Sequence, residues 1–310
     1  MTPALRVMSW TAAITLAAIV TAPARAAEVL SVCLDENIPL YSLHEKREGS
    51  GLSVLLSEAI AERLGRPLRI QWFETKLDPD DSRTLAANAL LSDGRCTLVG
   101  NYPLTRGTLG KPGAPTARMP DFDGATAGDR RRRVELGTLV PSRAFLYAPL
   151  TIVLAPGRQK TVTELGDLDG LKLGIEASTF GDAVLMLYKN GRYVDRITHF
   201  IPGRDELLPR LEQGEFDATL VDLRRFDAYR VRHPESKITP TGYYYRAGIN
   251  MGYVGLASDM ALIDQVNRVI VDMQAKNEIA SLAAKVGLTY VPPRQPEISD
   301  EITLRDLREE

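Results

Sequence analysis

The chain has 310 residues, 44% of them hydrophobic, and its 38 basic and 40 acidic side chains give a net charge of −2 at pH 7. This nearly balanced, mildly acidic composition excludes a strongly basic nucleic-acid-binding protein, so no nucleic acid is expected as a partner. A chain of this length and hydrophobicity can bury a substantial core, usually more than one, and we expect two lobes.

The first 26 residues have the pattern of a secretory signal peptide. Arg6 precedes an apolar run of about a dozen residues, and the small-residue site Ala24-Arg25-Ala26 follows. A membrane-spanning helix needs about 20 apolar residues, and no later stretch approaches that length. We therefore predict cleavage after Ala26 and a periplasmic mature protein that is not inserted in the membrane.

Strand and helix patterns alternate after the predicted cleavage site. The run VLSVCL predicts a buried strand, and LSVLLSEAIAERLG has apolar residues at helical spacing before Gly65, a typical helix end. PLRIQWFE predicts a second strand, RTLAANALLSDG a second helix and CTLVGN a third strand. This order predicts a parallel sheet covered by helices.

The segment from Thr105 to Arg143 breaks the pattern, because it is rich in Gly and Pro and lacks periodicity. It predicts a long surface excursion. Its GDRRRR run, with Arg130 to Arg133, could meet an anionic partner, and a solvated loop is the favoured interpretation.

A second set of strands and helices begins at FLYAPLTIVLAPG, which predicts one strand. Further strands are predicted at LKLGIEAS, ITHFI and DATLVD, with helices at TFGDAVLMLYKNG and GRDELLPRLEQGEF. The segment LIDQVNRVIVDMQAKNEIASLAAKVG predicts one long amphipathic helix. The charged, Pro-interrupted tail from Val291 is predicted to be peripheral or partly mobile.

The chain has only two cysteines, Cys33 and Cys96, and an oxidising compartment favours a disulfide between them. The register of parallel strands argues against the bond, because Cys33 lies late in the first strand and Cys96 starts the third. That offset of about three residues is roughly 10 Å, whereas a disulfide needs Cα atoms within about 7 Å. The disulfide is the favoured prediction, and two buried apolar thiols are the alternative.

Metal-binding residues show no recognisable pattern. The two cysteines and the three histidines, His44, His199 and His233, are scattered without the spacing of metal ligands. We therefore predict no metal site and no cofactor.

Several motifs occur in an order that is typical of one protein family. LSVCLDENIPLYS combines a strand, an Asp and a Pro that is closely followed by an aromatic; GLSVLLSEAIAERLG is a Gly-led helix that ends in Leu-Gly. LLSDGRCTLVGN, ELGDLDGLKLGIEASTFGDA and LEQGEFDATLVD follow. Together they span most of the chain, which resembles the bacterial extracellular solute-binding proteins of family 3, the polar amino acid type that supplies ABC importers.

The resemblance implies an α/β fold with two lobes, the periplasmic binding protein type 2 fold. Each lobe would be a mainly parallel sheet flanked by helices, and two crossover strands would form the hinge. Residues 27–148 and 256–310 would form the first lobe, and residues 149–255 the second. Loops at the carboxyl ends of the parallel strands would line a cleft that closes on a ligand.

The resemblance also implies which residues face the cleft. They are Asp35, Tyr41, Asn101, Tyr102, Thr105, Arg106, Ser178, Thr179 and Asp222. Asp222 matches the carboxylate that pairs with a ligand ammonium in amino acid binders, and a helix cap is the alternative. Ser178 and Thr179 start a helix whose N–H groups suit a carboxylate or another anion, and simple capping is again the alternative.

The chain departs from the family pattern at the ligand site. Amino acid binders have a Thr-x-x-Arg after the third strand, whose Arg binds the ligand carboxylate. Here Thr105 and Arg106 are adjacent, and neither Arg106 nor Arg143 is in register to substitute. Ile38 replaces a frequent aromatic, and Ser178 replaces the usual Gly. These departures argue against a free amino acid as the ligand.

A subgroup is more similar still, namely the periplasmic binding-like proteins that accompany quinoprotein (PQQ) methanol or alcohol dehydrogenases. The residues that fit its pattern are Cys33, Asp35, Asn37, Ser42, Trp72, Gly94, Arg95 and Cys96, whereas Thr97 replaces the usual Asp. This resemblance implies a role in assembly or activation of the dehydrogenase instead of import.

The main functional prediction is a non-catalytic solute-binding protein of the ABC importer type, whose partners are a small polar ligand and an ABC permease. The alternative is a periplasmic accessory protein of a quinoprotein dehydrogenase. A dehydratase-like enzyme on the same fold is the least favoured, because it needs a cleft acid or base, for which Glu176 or Asp35 could serve.

Overall fold

The computed structural model describes residues 28–75, 83–204 and 206–308, and the predicted signal peptide lies outside them. The strands are β1 (Leu30–Asp35), β2 (Asn37–Ile38), β3 (Ser42–Glu45), β4 (Glu48–Ser50), β5 (Leu68–Glu74), β6 (Leu98–Pro103), β7 (Thr116–Arg118), β8 (Asp121–Phe122), β9 (Arg133–Glu135), β10 (Leu139–Pro141), β11 (Leu146–Ala148), β12 (Leu150–Leu154), β13 (Leu173–Glu176), β14 (Ile197–Phe200), β15 (Ala218–Asp222), β16 (Thr239–Tyr244) and β17 (Ile249–Leu256). The α-helices are α1 (Leu52–Leu64), α2 (Arg83–Ser92), α3 (Phe180–Leu187), α4 (Leu207–Glu212), α5 (Leu223–Arg232), α6 (Met260–Ala275), α7 (Glu278–Lys285) and α8 (Leu304–Arg308). In the described ranges, no helix has the length and hydrophobicity that crossing a membrane requires.

The first lobe is built on a seven-stranded sheet, in the order β10-β17-β6-β1-β5-β8 with β11 also paired to β17. Strands β6, β1 and β5 are parallel, and the flanking pairings are antiparallel. All six residues of β1 are buried, as expected for a central strand covered on both faces. Helices α1, α6 and α7 pack on one face of the sheet, and α2 packs on the other.

The second lobe is built on a five-stranded sheet, in the order β14-β13-β15-β12-β16. Strands β14, β13 and β15 are parallel, and β12 is antiparallel to both of its neighbours. Helix α3 packs on one face, and helices α4 and α5 pack on the other.

Two crossover segments join the lobes. The predicted strand FLYAPLTIVLAPG is divided at Pro149 into β11 of the first sheet and β12 of the second, and residues 245–248 connect β16 to β17. A Cβ on Gly248 would lie 2.6 Å from the Tyr147 ring, so the two crossovers pack tightly together. The predicted lobe limits remain predictions; sheet pairing places all of β17 in the first sheet, although the sequence assigned residues up to 255 to the second lobe.

The excursion from Thr105 to Arg143 contains regular structure. Strands β7 and β9 pair with each other beside α2, and β8 extends the first sheet at the edge of β5. Ala117, Met119 and Phe122 are buried against α2 and its neighbours. The segment is therefore a covering layer of the first lobe, and its apolar side chains are too widely spaced to show a helical or strand period.

The arginine run of the excursion makes ion pairs within the protein. Arg130 lies 3.0 Å from Asp121, and Arg132 lies 2.5 Å from Asp93. These pairs are solvent-exposed on the arginine side, in agreement with the favoured interpretation of a solvated surface.

The C-terminal tail crosses from the first lobe to the second. Among its described side chains only Val291 and Leu307 are buried, so the tail lies at the surface, but it is attached to both lobes. Asn250 donates its side-chain N–H to the carbonyl oxygens of Arg294 and Glu297, at 2.7 and 3.0 Å. The Ser299 backbone then pairs with Thr105, and Leu307 of α8 is buried in the second lobe beside α3. The tail is therefore a third connection between the lobes.

The predicted long helix after residue 260 is two helices, α6 and α7. Asn277 has a φ of 58°, in the left-handed region that Asn tolerates better than most residues, and the helix direction changes there. The apolar period continues through the break, so periodicity alone could not reveal it.

Cys33 and Cys96 form a disulfide, with Cα atoms 5.7 Å apart. Strand register pairs Cys33 with Val99, three residues after Cys96, as the sequence argument assumed. The argument fails because β6 begins only at Leu98, and residues 93–97 form a turn and bend instead of an extended strand. Cys96 therefore lies beside Cys33 in the core that α2 covers.

Candidate ligand-binding site

A cavity of about 540 Å³ lies between the two lobes. The first lobe contributes Ile38, Tyr41, Arg83, Pro103 and Met251, and the crossovers contribute Ala148, Ala247, Gly248 and Ile249. The second lobe contributes Leu150, Ile175, Glu176, Thr179, Phe180, Gly181, Leu207, Leu220, Val221, Asp222, Arg224 and Arg225, and the tail contributes Ile302. The wall is mostly apolar, and its charged groups are three arginines and two carboxylates.

Tyr41 is positioned by the start of helix α1. Its backbone N–H donates to Ile38 O at 3.0 Å, and its carbonyl accepts from Ser53 N at 2.8 Å. Gly51 has a φ of 110°, and a Cβ there would lie 2.5 Å from Tyr41 O. Only glycine fits this approach, so the Gly-led helix start predicted from the sequence fixes the position of Tyr41.

The start of helix α3 forms part of the second-lobe wall. Thr179 caps the helix by accepting a hydrogen bond from Asp182 N at 3.2 Å, and Ser178 N donates to Asp182 Oδ2 at 2.8 Å. Ser178 has a φ of 60°, in the left-handed region that glycine adopts most easily, at the position where the resemblance led us to expect glycine. A Cβ on Gly181 would lie 2.5 Å from Leu220 O, so glycine lets α3 pack closely on β15.

Asp222 caps helix α5 and also lines the cavity. Its Oδ1 accepts from Arg224 N at 2.8 Å and from Arg225 N at 3.4 Å. Asp222 is therefore a helix cap, which was the alternative interpretation from the sequence. The same carboxylate also lines the cavity, so the cap does not exclude a contact with a ligand.

Glu176 and Arg225 form an ion pair in the second-lobe wall. Glu176 is only 4% exposed, and its Oε1 also accepts from Gly203 N at 2.6 Å. Burial lowers the pKa of Arg225, and the charge of Arg232 lowers it further. The guanidinium remains charged at neutral pH, because arginine deprotonates only in strong base.

Arg83 approaches Asp35 in the first lobe, with Nε 3.8 Å from Asp35 Oδ2. Burial lowers the pKa of Arg83; Asp35 opposes this shift, and the positive charge of Arg224 adds to it. Asp35 also accepts hydrogen bonds from Thr75 Oγ1 at 2.6 Å and Asn37 N at 3.0 Å. Asp35 therefore supports the site beside Arg83 without lining the cavity.

Arg224 contacts the first lobe from the second. Its guanidinium lies 5.4 Å from the centre of the Tyr41 ring, and its Nη1 donates to Pro39 O at 3.3 Å. Its Nε is 3.9 Å from Asp222 Oδ1, beyond hydrogen-bond distance. Arg224 is therefore a cationic group at the junction of the lobes.

Of the nine residues that the sequence placed in the cleft, Tyr41, Thr179 and Asp222 line the cavity. The six others do not line it: Asp35, Asn101, Tyr102, Thr105, Arg106 and Ser178. As ligand contacts, all nine remain predictions.

The loop that was predicted to follow the third strand into the cleft contributes Pro103 to the cavity wall, and its other residues lie outside the wall, where the loop contacts the C-terminal tail. Tyr102 donates its hydroxyl to Thr108 O at 2.7 Å, and Thr105 pairs with Ser299. Arg106 is exposed and lies 2.5 Å from Asp300. The crossing tail, which the sequence did not reveal, occupies the surface where these side chains were expected to meet a ligand.

Asn101 has a different environment from the rest of that loop. It is 1% exposed, its φ is 58°, and its side-chain oxygen and nitrogen lack hydrogen-bond partners in the described part of the chain. Asn101 lies in β6, two residues after Val99, which pairs with Cys33 of β1. Because Asp35 is likewise two residues after Cys33, Asn101 and Asp35 lie near the same end of the sheet.

The sequence did not identify Arg83, Arg224 or Ile302 as candidate site residues. Arg224 and Arg225 carried a usable signal, because arginine in the first turn of a helix opposes the helix dipole and implies another role. Arg83 and Ile302 carried none, because each reaches the cavity from a distant part of the chain.

Glu36, His44 and Asp123 form a separate cluster in the first lobe. Each offers one ligand atom within 4.8 Å of the others, and no other such group of three is found within the described ranges. The His44 ring stacks on Trp72 at 4.6 Å. The sequence prediction of no metal site was made from spacing, which cannot detect residues from three separate segments, and it remains a prediction.

No protein-family profile matches the sequence, and comparison with curated proteins finds no match. Solved structures do match. The second substrate-binding domain of GlnP from Lactococcus lactis, in an open conformation, is similar with a TM-score of 0.61 and 15% identity, over 86% of this chain and 97% of that one. The unliganded, open L-cystine solute receptor of Neisseria gonorrhoeae gives a TM-score of 0.59 and 16% identity, over 86% and 95%.

A histidine kinase sensor domain similar to periplasmic binding proteins also matches, with a TM-score of 0.52 and 16% identity, over 86% of this chain and 99% of that one. Identities this low show the fold alone, and the same fold serves different functions. The chain therefore has the two-lobed periplasmic binding protein fold, and that prediction is confirmed. The expectation of a mainly parallel sheet in each lobe is wrong in detail, because three strands of each main sheet are parallel and the other pairings are antiparallel.

Proposed function

We propose that the protein is a periplasmic solute-binding protein that closes on a small ligand between its lobes and delivers it to an ABC permease without catalysis. The observation that carries this proposal is the cavity of about 540 Å³, whose wall combines side chains from both lobes. A cavity of this size suits a small molecule. Because the wall is divided between two lobes, their closure would bury the ligand from both sides.

The environment of the two candidate catalytic acids supports a non-catalytic role. Glu176 is engaged by Arg225 and by Gly203 N, and Asp35 does not line the cavity. A general acid or base must reach the proton that it transfers. Asp35 lies outside the cavity wall, and Glu176, although it lines the cavity, has its two oxygens engaged by Arg225 and Gly203 N. The similar structures are named as a substrate-binding domain and a solute receptor.

A ligand screen tests the proposal directly. Ligand at 100 times Kd stabilises the folded protein by about 2.7 kcal/mol, which a thermal-shift assay detects. We expect a hit to reduce the radius of gyration measured by small-angle X-ray scattering, because the lobes close.

Two phenylalanine variants locate the binding site of any hit. Phe180→Ala removes a cavity side chain and should weaken binding at least tenfold. Phe200→Ala removes a buried ring that does not line the cavity, so it should lower stability and leave Kd unchanged. Equal effects of both variants on Kd, or no hit in a broad screen, would contradict the proposal.

The accessory role for a quinoprotein dehydrogenase rests on the sequence resemblance alone. A pull-down with purified PQQ-dependent dehydrogenase tests it. Substitutions in the excursion, residues 105–143, would then test whether that segment forms the contact surface. Strong binding of a small molecule in the cleft, without dehydrogenase binding, would favour the solute-binding role.

A further inference from the structure

The cavity offers a ligand a largely apolar surface. Ile175, Phe180 and Leu220 of the second lobe face the same space as Met251 of the first lobe and Ile302 of the tail. A polar group placed against such a wall loses its hydrogen bonds to water without replacement, whereas a hydrocarbon group gains from burial. The wall therefore suits a ligand with an apolar body.

One of the three lining arginines is paired with a carboxylate that also lines the cavity. Arg225 is paired with Glu176, whose second oxygen accepts the Gly203 N–H at 2.6 Å. This pair belongs to the second lobe alone and needs no ligand group to complete it.

The other two arginines approach the cavity from opposite lobes. Arg83 starts α2 of the first lobe, and Arg224 lies in the first turn of α5 of the second lobe. Among the described residues, the Arg224 guanidinium makes one hydrogen bond, to Pro39 O, although it has five N–H donors. The two positive charges act on each other, since Arg224 contributes to the lowered pKa of Arg83, after burial as the main cause and against the opposing effect of Asp35.

The nearby carboxylates use their oxygens within the protein. Asp222 Oδ1 accepts two backbone N–H groups, and Asp35 accepts from Thr75 and Asn37. A ligand ammonium beside Asp222 would also lie beside Arg224, whose Nε is 3.9 Å from that carboxylate. The site therefore offers guanidinium N–H donors to a ligand, and it disfavours a ligand ammonium because Arg224 already lies beside Asp222.

We infer that the ligand is a small organic monocarboxylate with an apolar body and no ammonium group, and that its carboxylate binds between Arg83 and Arg224. This inference rests on the proposed ligand-binding function. The wall itself holds three arginines and two carboxylates. Asp35, outside the wall, is 3.8 Å from Arg83 and balances the third arginine, so the preference for an anion rests on the N–H donors that Arg83 and Arg224 offer and not on a net charge. Forked guanidinium groups match a carboxylate, and because they belong to different lobes, one carboxylate between them links binding to closure.

Matched compounds test the charge preference by titration calorimetry at pH 7. One series is 4-methylpentanoate, 4-methylpentanamide and leucine; the other is 3-phenylpropanoate, 3-phenylpropanamide and phenylalanine. Within a series, the body is constant and only the charged groups change. We expect the carboxylate to bind at least tenfold more tightly than both its amide and its amino acid.

Arginine variants test the position of the carboxylate. Arg83→Gln and Arg224→Gln should each weaken carboxylate binding at least tenfold and leave amide binding unchanged, whereas Arg106→Gln, outside the cavity, should change neither. Arg224→Lys should recover part of the affinity, and it keeps the test decisive if Arg83→Gln does not fold.

The inference and the proposed function fail in different ways. Tighter binding of an amide or an amino acid, weakened by Phe180→Ala, would overturn the carboxylate inference and support the solute-binding function. Carboxylate binding that survives both arginine substitutions would also overturn the inference. If no compound of any series binds and the broad screen yields no hit, the proposed function fails and the inference fails with it.

Discussion

The two lobes are stabilised by different means. The first lobe has the Cys33–Cys96 disulfide and an added layer, the excursion, over α2. The second lobe has no cysteine; it has the buried Glu176–Arg225 pair and receives α8 from the tail. The lobe that contributes most of the cavity wall is thus the one without a covalent crosslink. This contrast suggests a rigid first lobe and a second lobe whose stability depends on groups next to the ligand.

Removal of the disulfide should have the largest effect, and the effect should be on the first lobe. The bond closes a separation of 63 residues, for which the chain-entropy relation gives about 4 kcal/mol of stabilisation. We expect Cys33→Ala/Cys96→Ala to lose that amount in urea unfolding followed by the fluorescence of Trp72, a buried first-lobe residue. Reductant should reproduce the loss in the wild type and do nothing to the variant; a change below about 1 kcal/mol would contradict the prediction.

In the second lobe, the Glu176–Arg225 ion pair should be the interaction whose loss lowers stability most. Glu176→Gln removes the negative charge of the Glu176–Arg225 pair from a side chain that is almost fully buried, and it should cost about 3 kcal/mol. Glu176→Leu/Arg225→Met should recover much of this loss, because both charges of the pair are then replaced by apolar groups. Glu206→Gln, which removes an exposed partner of Arg210, is the control and should change stability by less than about 0.5 kcal/mol.

Circular dichroism in urea, compared with Trp72 fluorescence, shows which lobe responds to Glu176→Gln. We expect the circular dichroism transition to move to lower urea while the Trp72 transition stays in place. Movement of the Trp72 signal alone would show that the two lobes do not differ as described.

Loss of the tail helix should have a smaller effect that is local to the second lobe. Leu307 is 6% exposed in the core beside α3, and Leu307→Ala should cost about 2 kcal/mol. Hydrogen exchange should then show reduced protection of residues 298–308. Arg308→Ala, an exposed neighbour, is the matched control and should keep protection unchanged.

The attachment of the tail to the first lobe through Glu297 should weaken in acid. This effect should be smaller than those of the disulfide, ion-pair and Leu307 substitutions. Burial alone raises the pKa of Glu297, but the Arg143 side chain and the Ala144 N–H outweigh it and hold the pKa below 4.5. A carboxyl with a lowered folded-state pKa stabilises the protein above its unfolded pKa and loses that contribution as the pH falls through the folded value.

Unfolding between pH 6 and pH 3 measures this contribution. We expect a loss of less than about 1 kcal/mol below pH 4.5, because Arg143 is half exposed and solvent screens the pair. Glu297→Gln should flatten the slope in that range, whereas Glu301→Gln, an exposed neighbour, should leave the slope as in the wild type. An unchanged slope in Glu297→Gln would assign the pH dependence to other groups.

Local sequence patterns were sufficient to predict the main strands and helices of both lobes. The buried strand β1, helix α1 with its end at Gly65, and the alternation of strands and helices in both halves all appear where periodicity placed them. These features depend on neighbours within one turn or one strand, so a single sequence contains the information. Asn277 shows the limit, because a change in one backbone angle divides a helix without a change in apolar period.

The site was less predictable, because it is assembled from distant segments. Tyr41, Thr179 and Asp222 follow strands or begin helices, and family motifs mark such positions. Arg83 and Ile302 reach the cavity only because α2 and the tail pack where they do. The disulfide shows a related limit. The favoured prediction of a Cys33–Cys96 bond is confirmed, whereas the register argument against it failed because a turn and bend precede Leu98.

The crossing tail has a consequence for kinetics. Lobes connected by two adjacent strands can swing widely, whereas a third connection at residues 299–307 restricts the angle through which they separate. We expect a narrow entrance, slow exchange of bound molecules and long residence times. Such a protein would be suited to retaining a scarce compound rather than to rapid turnover of an abundant one.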